Sequence, residues 1–173
     1  MEDYEIIDYE WIVECDFGDD TQANKEGKKF YIDWSDYSRF VAGHRFRINN
    51  KGYVMYSSTK DGLHNKLLHR MIMNCPEDMM IDHIDHNPLN NSRSNLRICT
   101  NQQNQMNSGK SKNNKSGVIG VHWNKANEKW RAQITLNNKQ IHLGLFDNFE
   151  EVCKVRKEAE IKYFGDFRNK ENE

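Results

Sequence analysis

The sequence is short of apolar side chains. Only 36% of its 173 residues are hydrophobic, and the mean hydropathy is −0.97. No core built from it can be large, and no apolar run approaches the ~20 residues that cross a bilayer. A membrane partner is therefore not expected. Cysteine is scarce as well. Cys15, Cys75, Cys99 and Cys153 are scattered, with no CxxC pair among them. That spacing argues against a zinc ribbon and leaves free thiols in a reducing compartment as the plain reading. The start, MEDYEIIDYEWIVECD, lacks the basic-then-apolar order of a secretory signal, so a cytoplasmic protein is expected.

A surplus of charge is also missing, but only on average. The net charge is −1, yet residues 1–40 sum to −8, residues 41–145 to +9 and residues 146–173 to −2. The basic middle is where a polyanion would bind. An ordinary solvated surface beside an acidic segment is the alternative on charge alone. The acidic residues 1–43 carry no motif. One role for their charge is to shield the basic surface until a polyanion displaces it.

Along the chain, YEIIDYEWIVEC fits a strand or a short helix, and FGDDTQANKEGKKFYIDW holds a turn and a hairpin. HRFRINNKGYVMYSSTK, residues 44–60, reads as two short strands around a turn at Asn50-Lys51-Gly52. In NKLLHRMIMN, Leu67, Leu68, Met71 and Ile72 are spaced like one face of a short helix. SGKSKNNKSG, residues 108–117, has no apolar residue and reads as a flexible basic linker carrying Lys110, Lys112 and Lys115.

After the linker the hydrophobic period becomes two. VIGVHW, KWRAQITL and QIHLGLF read as three antiparallel strands, with a tight turn at Asn137-Asn138. Ile119, Val121, Trp123, Trp130, Ala132, Ile134, Leu136, Ile141, Leu143 and Leu145 are expected on one face. NFEEVCKVRKEAEIKYFG reads as a helix, with Phe149, Val152, Val155, Ala159 and Tyr163 on one stripe and Gly165 as its stop. That helix should cover the apolar face. The other face, carrying His122, Lys129, Arg131, Gln133, Thr135, Gln140 and His142, is left for a partner. Such side chains suit base edges and phosphates.

The densest chemistry lies in IDHIDHNPLNNSRSNLRICTNQQNQMN, residues 81–107. Two Asp-His pairs are followed by a crowd of carboxamides. MIDHI ends one strand, SNLRIC makes a second, and DHNPLNNSRS loops between them. Thr100 and Gln103 form a T-x-x-Q capping box, so a helix should begin after Thr100, with Asn104 one turn into it. The unit is strand, loop, strand, helix.

This spacing resembles the HNH nuclease motif, or ββα-metal fold. Asp82-His83 stands at a strand end, Asn95 follows twelve residues after His83, and Asn104 nine after that. The resemblance is closest to phage-type homing endonucleases, in which the last position is Asn. Residues 118–165 are similar to the AP2-type DNA-binding domain, through GVIGVHWNKANEKWRAQI, HLGLFDNFEEV and AEIKYFG. The two resemblances together imply an α+β chain: a ββα-metal nuclease module, then a three-stranded antiparallel sheet packed on one helix. The boundaries expected are 1–43 acidic region, 44–107 nuclease, 108–117 linker, 118–167 AP2-like domain and 168–173 polar tail.

The resemblance also implies roles. His83 is the general base, Asn95 orients its ring, and Asp82 and Asn104 are ligands of one hard divalent cation, Mg²⁺ with Mn²⁺ as substitute. Oxygen donors suit those ions, and no zinc is expected. The implied substrate is double-stranded DNA, cut by a monomer in preference to a dimer, in a bacterial host, with the enzyme encoded by a phage or mobile element. Arg70 and His86 are candidate phosphate contacts. His69 is expected to pack beneath the site, and Asp85-His86 to serve turn chemistry. A DNA-binding regulator with an inactive HNH module is the rival.

Overall fold

The computed structural model describes residues 12–17, 22–57 and 62–169, and the chain divides into two units, residues 1–98 and 99–173. The first unit runs β1 (Ile12–Asp16), α1 (Gln22–Lys25), β2 (Lys29–Asp33), α2 (Trp34–Phe40), β3 (Phe46–Ile48), β4 (Val54–Tyr56), α3 (Leu68–Ile72) and β5 (Met80–His83). A 3-10 turn (Arg93–Asn95) and β6 (Leu96–Cys99) complete it. The strands pair as three two-stranded sheets, β1-β2, β3-β4 and β5-β6. The ambiguity over residues 4–15 resolves to a strand from Ile12, and residues 4–11 lie outside the described residues.

Period-two burial explains the first sheet. Cys15 opposes Phe30, and Val13 opposes Ile32. Phe30 and Ile32 are fully buried. The aromatic rings then run as a chain, Phe17 to Phe30 at 5.1 Å, Phe30 to Phe46 at 5.1 Å and Phe46 to Tyr56 at 4.8 Å. Leu68, Ile72, Ile81 and Leu96 join the same cluster. Burying each such side chain stabilises by about 1.5–3 kcal/mol. The acidic N-terminal segment therefore shares one core with residues 44–98. Its described part is not built as a charged arm that a polyanion could push aside, because Phe30, Ile32 and Phe40 are core residues.

The second unit holds α4 (Asn101–Met106), β7 (Val121–Asn124), β8 (Lys129–Leu136), β9 (Lys139–Phe146), α5 (Phe149–Phe164) and a 3-10 turn (Gly165–Phe167). The capping box is present: Gln103 N donates to Thr100 Oγ1 at 3.2 Å, and Thr100 N donates to Gln103 Oε1 at 2.8 Å. The three strands order as β7-β8-β9, all antiparallel, with α5 against them. Asn148 caps α5 by accepting from Glu150 N and Glu151 N.

Three details depart from simple periodicity. First, β7 begins at Val121, not Val118. Gly120 takes φ +74°, and a Cβ there would meet Gln133 O at 2.3 Å and Arg156 Nε at 2.5 Å. Second, a bulge lies where Ala132 pairs Gly144 but Gln133 pairs His142. It turns Leu145 away from the core, to the face of Arg131, and brings in Phe146. Third, the buried stripe of α5 is Val152, Arg156 and Ala159; Val155 and Phe149 are less covered. Arg156 reaches that position because Glu160, one turn on, pairs with it at 2.9 Å.

In the segment expected as a linker, residues 114–117 are tied down. Asn114 Oδ1 accepts from Ser116 N and Gly117 N, both at 3.0 Å, and Ser116 Oγ lies 2.6 Å from Val121 O. None of the four cysteines is in a disulfide. Among the described residues no helix is long and apolar enough to cross a membrane. Of the expected polar tail, residues 170–173 lie outside the described residues.

Candidate active site and nucleic-acid interface

β5 delivers Asp82 and His83 side by side, and both are buried, at 5% and 6% exposure. Alternation along a strand sends the two side chains to opposite sides. His83 enters a cluster of rings. Its centroid lies 5.1 Å from His69, edge to face, and 5.7 Å from Tyr53, stacked; Tyr53 and His69 are 5.1 Å apart. His69, on α3, is 4% exposed, and its Nδ1 is buried without a hydrogen-bond partner in the structure. Burial pushes the His69 imidazole down to about 3, with the charges of His83 and Arg70 adding to the effect. Burial lowers His83 too, opposed by the Asn91 carboxamide and then by Asp85 and Asp82. Desolvation disfavours the cation, so both rings are neutral at neutral pH.

Asp82 points to Arg97 of β6. Arg97 Nε donates to Asp82 Oδ2 at 2.7 Å, and its Nη2 lies 2.6 Å from the same oxygen. Sequence reading missed this partner. The available signal was opposite charge on two strands that pair across one loop.

Asn95 is buried, and its side chain spans the loop after His83. Its Oδ1 accepts from Asp85 N at 3.0 Å; its Nδ2 donates to Asp85 Oδ1 at 2.8 Å and Asn90 O at 2.9 Å. Its backbone O accepts from Ile84 N at 2.9 Å. These contacts fall on the chain just beyond His83, not on its ring. The amide set against the ring is that of Asn91, fully buried, whose Nδ2 donates to Leu89 O at 3.1 Å. The Asn91 side chain acts on the imidazole as a hydrogen-bonding group that favours its charged form, although Asn91 Oδ1 makes no hydrogen bond of full geometry. Asp85 is a loop organiser, accepting also from Asn87 N and Asn90 Nδ2, each at 2.8 Å. His86 takes φ +60° in that turn and is half-buried.

Arg70 is committed elsewhere: its guanidinium donates to Met79 O at 2.8 Å and Pro76 O at 2.5 Å, closing the loop after α3. An open groove of about 490 Å³ beside the rings is lined by Asn49, Lys51, Tyr53, His69 and Arg70, among others. Asn104 lies in the second unit, half-buried on α4, with its N–H on Thr100 O at 3.0 Å.

The sheet of the second unit brings most of the expected contact residues together. His122 pairs with Arg131, Gln133 with His142 and Thr135 with Gln140, so these six share one face. Lys129 lies on it too, and its Nζ is 3.0 Å from Asp147 Oδ2. Lys110, Lys112 and Lys115 are exposed on the segment before β7.

Residues 66–106 match the family described as HNH endonuclease. Over 80 residues, 46% of this chain, it is 40% identical to Protein 3.8 of Escherichia phage T7. Over 130 residues, 73% of this chain, it is 32% identical to an uncharacterized HNH endonuclease of Acanthamoeba polyphaga mimivirus. Each alignment spans 66% of the relative, just under two thirds of its length. No solved structure matches the chain.

Among the described residues no three His, Cys, Asp or Glu side chains gather into a metal-holding group. The donor chemistry expected here is different: one carboxylate, one carboxamide oxygen, and phosphate oxygens from the substrate. Oxygen donors of these kinds are what a hard divalent cation takes while keeping several waters. The carboxylate, Asp82, would have to share its charge between that cation and Arg97.

Proposed function

We propose that this chain is a DNA endonuclease of the homing type, with a ββα-metal active site and an AP2-like sheet that selects the cut. One observation carries the reading: a buried, neutral imidazole, His83, ends β5 inside the HNH match, directly after a buried carboxylate. Neutral imidazole is the form that accepts a proton from water. The hydroxide attacks phosphorus, the P–O bond to the leaving sugar oxygen breaks, and that oxygen takes a proton from solvent water. His83 keeps the proton until solvent removes it. Asn95 fixes the backbone that follows His83, and Tyr53 and His69 wall its ring. Asp82 and Asn104 are the residues that would hold Mg²⁺ or Mn²⁺. That ion, when bound, supplies positive charge for the leaving oxygen. The face of His122, Arg131, Gln133, Thr135, Gln140 and His142 meets a DNA groove, with Lys129, Lys110, Lys112 and Lys115 for backbone phosphates.

A second reading, a DNA-binding regulator with an inactive HNH module, is favoured by the Asp82–Arg97 pair, which already neutralises the proposed ligand. Plasmid cleavage separates the two. Supercoiled plasmids carrying candidate genomic inserts are incubated with Mg²⁺ or Mn²⁺, with and without chelator. Metal-dependent nicking that falls by about 10²–10⁴-fold in His83→Ala is the expected result. Tight, salt-sensitive binding without cleavage on a validated target would establish the regulator.

A further inference from the structure

The HNH match begins at residue 66, yet the loop that faces His83 is held from far outside it. The loop spans residues 84–95 and offers almost no apolar anchor. Five hydrogen bonds from the N-terminal segment grip it. Tyr31 N donates to Leu89 O and Asn91 N donates to Tyr31 O, each at 2.8 Å, as a parallel bridge. Asp33 Oδ2 accepts from Arg93 N at 2.7 Å. Asp36 takes the Arg93 guanidinium with both oxygens, Nε at 2.5 Å and Nη2 at 2.9 Å. Asp33 and Asp36 are each only 6% exposed, and Asp33 Oδ1 has no hydrogen-bond partner in the structure.

Burying two carboxylates costs stability unless something pairs with them. Among the described residues, no side chain of β1 or β2 pairs with either acid, and the exposed Asp16–Lys29 pair serves the hairpin surface. Both buried acids instead point at one residue of the loop, Arg93. Two positions before Arg93 stands Asn91, with its amide against the imidazole and its backbone N–H on Tyr31.

We infer that residues 31–36 are a positioning device for His83: Tyr31, Asp33 and Asp36 hold the loop through Leu89, Asn91 and Arg93, and the loop presents Asn91 to the ring. The catalytic consequence rests on the proposed function; the positioning does not. Tyr31, Asp33, Asp36 and Arg93 touch no reacting atom. They act through Asn91, in the way that outer partners fix the orientation and tautomer of a working histidine.

The test uses the full chain with Asp36→Asn, Arg93→Lys and Asn91→Ser, beside Asp16→Asn as a control on the same hairpin. Nitrogen-resolved NMR of the histidine side chains reads the His83 ring at one neutral pH, and cleavage kinetics separate kcat from KM. A single His83 tautomer in the wild type should become a mixture in all three variants. His122 and His142 should not move, and Asp16→Asn should match the wild type. Turnover should fall by about 10- to 100-fold with KM unchanged. An unchanged His83 signal in folded Arg93→Lys and Asn91→Ser would overturn the inference, as would the same change in Asp16→Asn. Should Asp36→Asn fail to fold, the other two variants decide. A wild type that cleaves nothing but shows the expected NMR changes keeps the positioning and removes the nuclease reading.

Discussion

At the scale of single residues, the site is a contest between burial and charge. His69 and His83 are buried and neutral, while both are ordinary imidazoles in the unfolded chain. Below the unfolded value near 6.5, the unfolded chain binds protons that the folded one refuses. Stability therefore falls as pH falls, by about 1.4 kcal/mol per pH unit for each such histidine. For His69 the loss continues down to its folded value of about 3. Urea unfolding at pH 7.5 and 5.0 should show this slope, and His69→Gln should flatten it. An equal slope in that variant would mean that His69 is not the buried neutral ring described. The place of Asp82 and His83 at a strand end was legible in sequence, because the short apolar run before them reads as a strand. Their partners were not. Arg97 reaches Asp82 from a neighbouring strand, and Asn91 is one asparagine in a crowd until the loop is folded. Spacing reports what one segment can do, and these contacts belong to pairs of segments.

At the scale of elements, local rules worked wherever neighbours in sequence decide the structure. The T-x-x-Q box starts α4, Asn137 and Asn138 both take positive φ in their turn, and alternation marks β8. Alternation failed in β9, because period two assumes a ladder without an extra residue. The bulge at Gly144 shifts the face, so that Leu145 leaves the core and Phe146 enters it. Gly144 makes this possible: its φ is +143°, and a Cβ would sit 2.8 Å from the Phe146 ring. Gly144→Ala should cost ~1–3 kcal/mol in chemical denaturation, with backbone strain and the ring clash acting together. A variant as stable as the wild type would show that β9 can slide to regular pairing. One of His142 and Leu145 would then turn to the core face, and the face proposed for DNA would be a different one.

At the scale of the whole molecule, charge and packing tell different stories about the first forty residues. Their net charge of −8 beside a basic middle suggests a displaceable shield. Packing says otherwise. Phe30 and Ile32 are fully buried and Phe40 nearly so, in the same cluster as Tyr56, Leu68, Ile81 and Leu96. Composition could not reveal this, because polar positions alternate with core positions along β1 and β2: Glu14 and Asp16 flank Cys15, and Lys29 and Tyr31 flank Phe30. Removing even one large buried side chain costs ~2–5 kcal/mol, and a whole domain is stable by only ~5–15 kcal/mol. Deleting residues 1–40 removes several such side chains together with Asp33 and Asp36. Amide hydrogen exchange over β4, β5 and β6 should therefore lose its protection in the deletion, and cleavage should vanish with it. Retained protection, accompanied by tighter nonspecific DNA binding, would return the segment to the role of a charged shield and would detach it from the core assigned here.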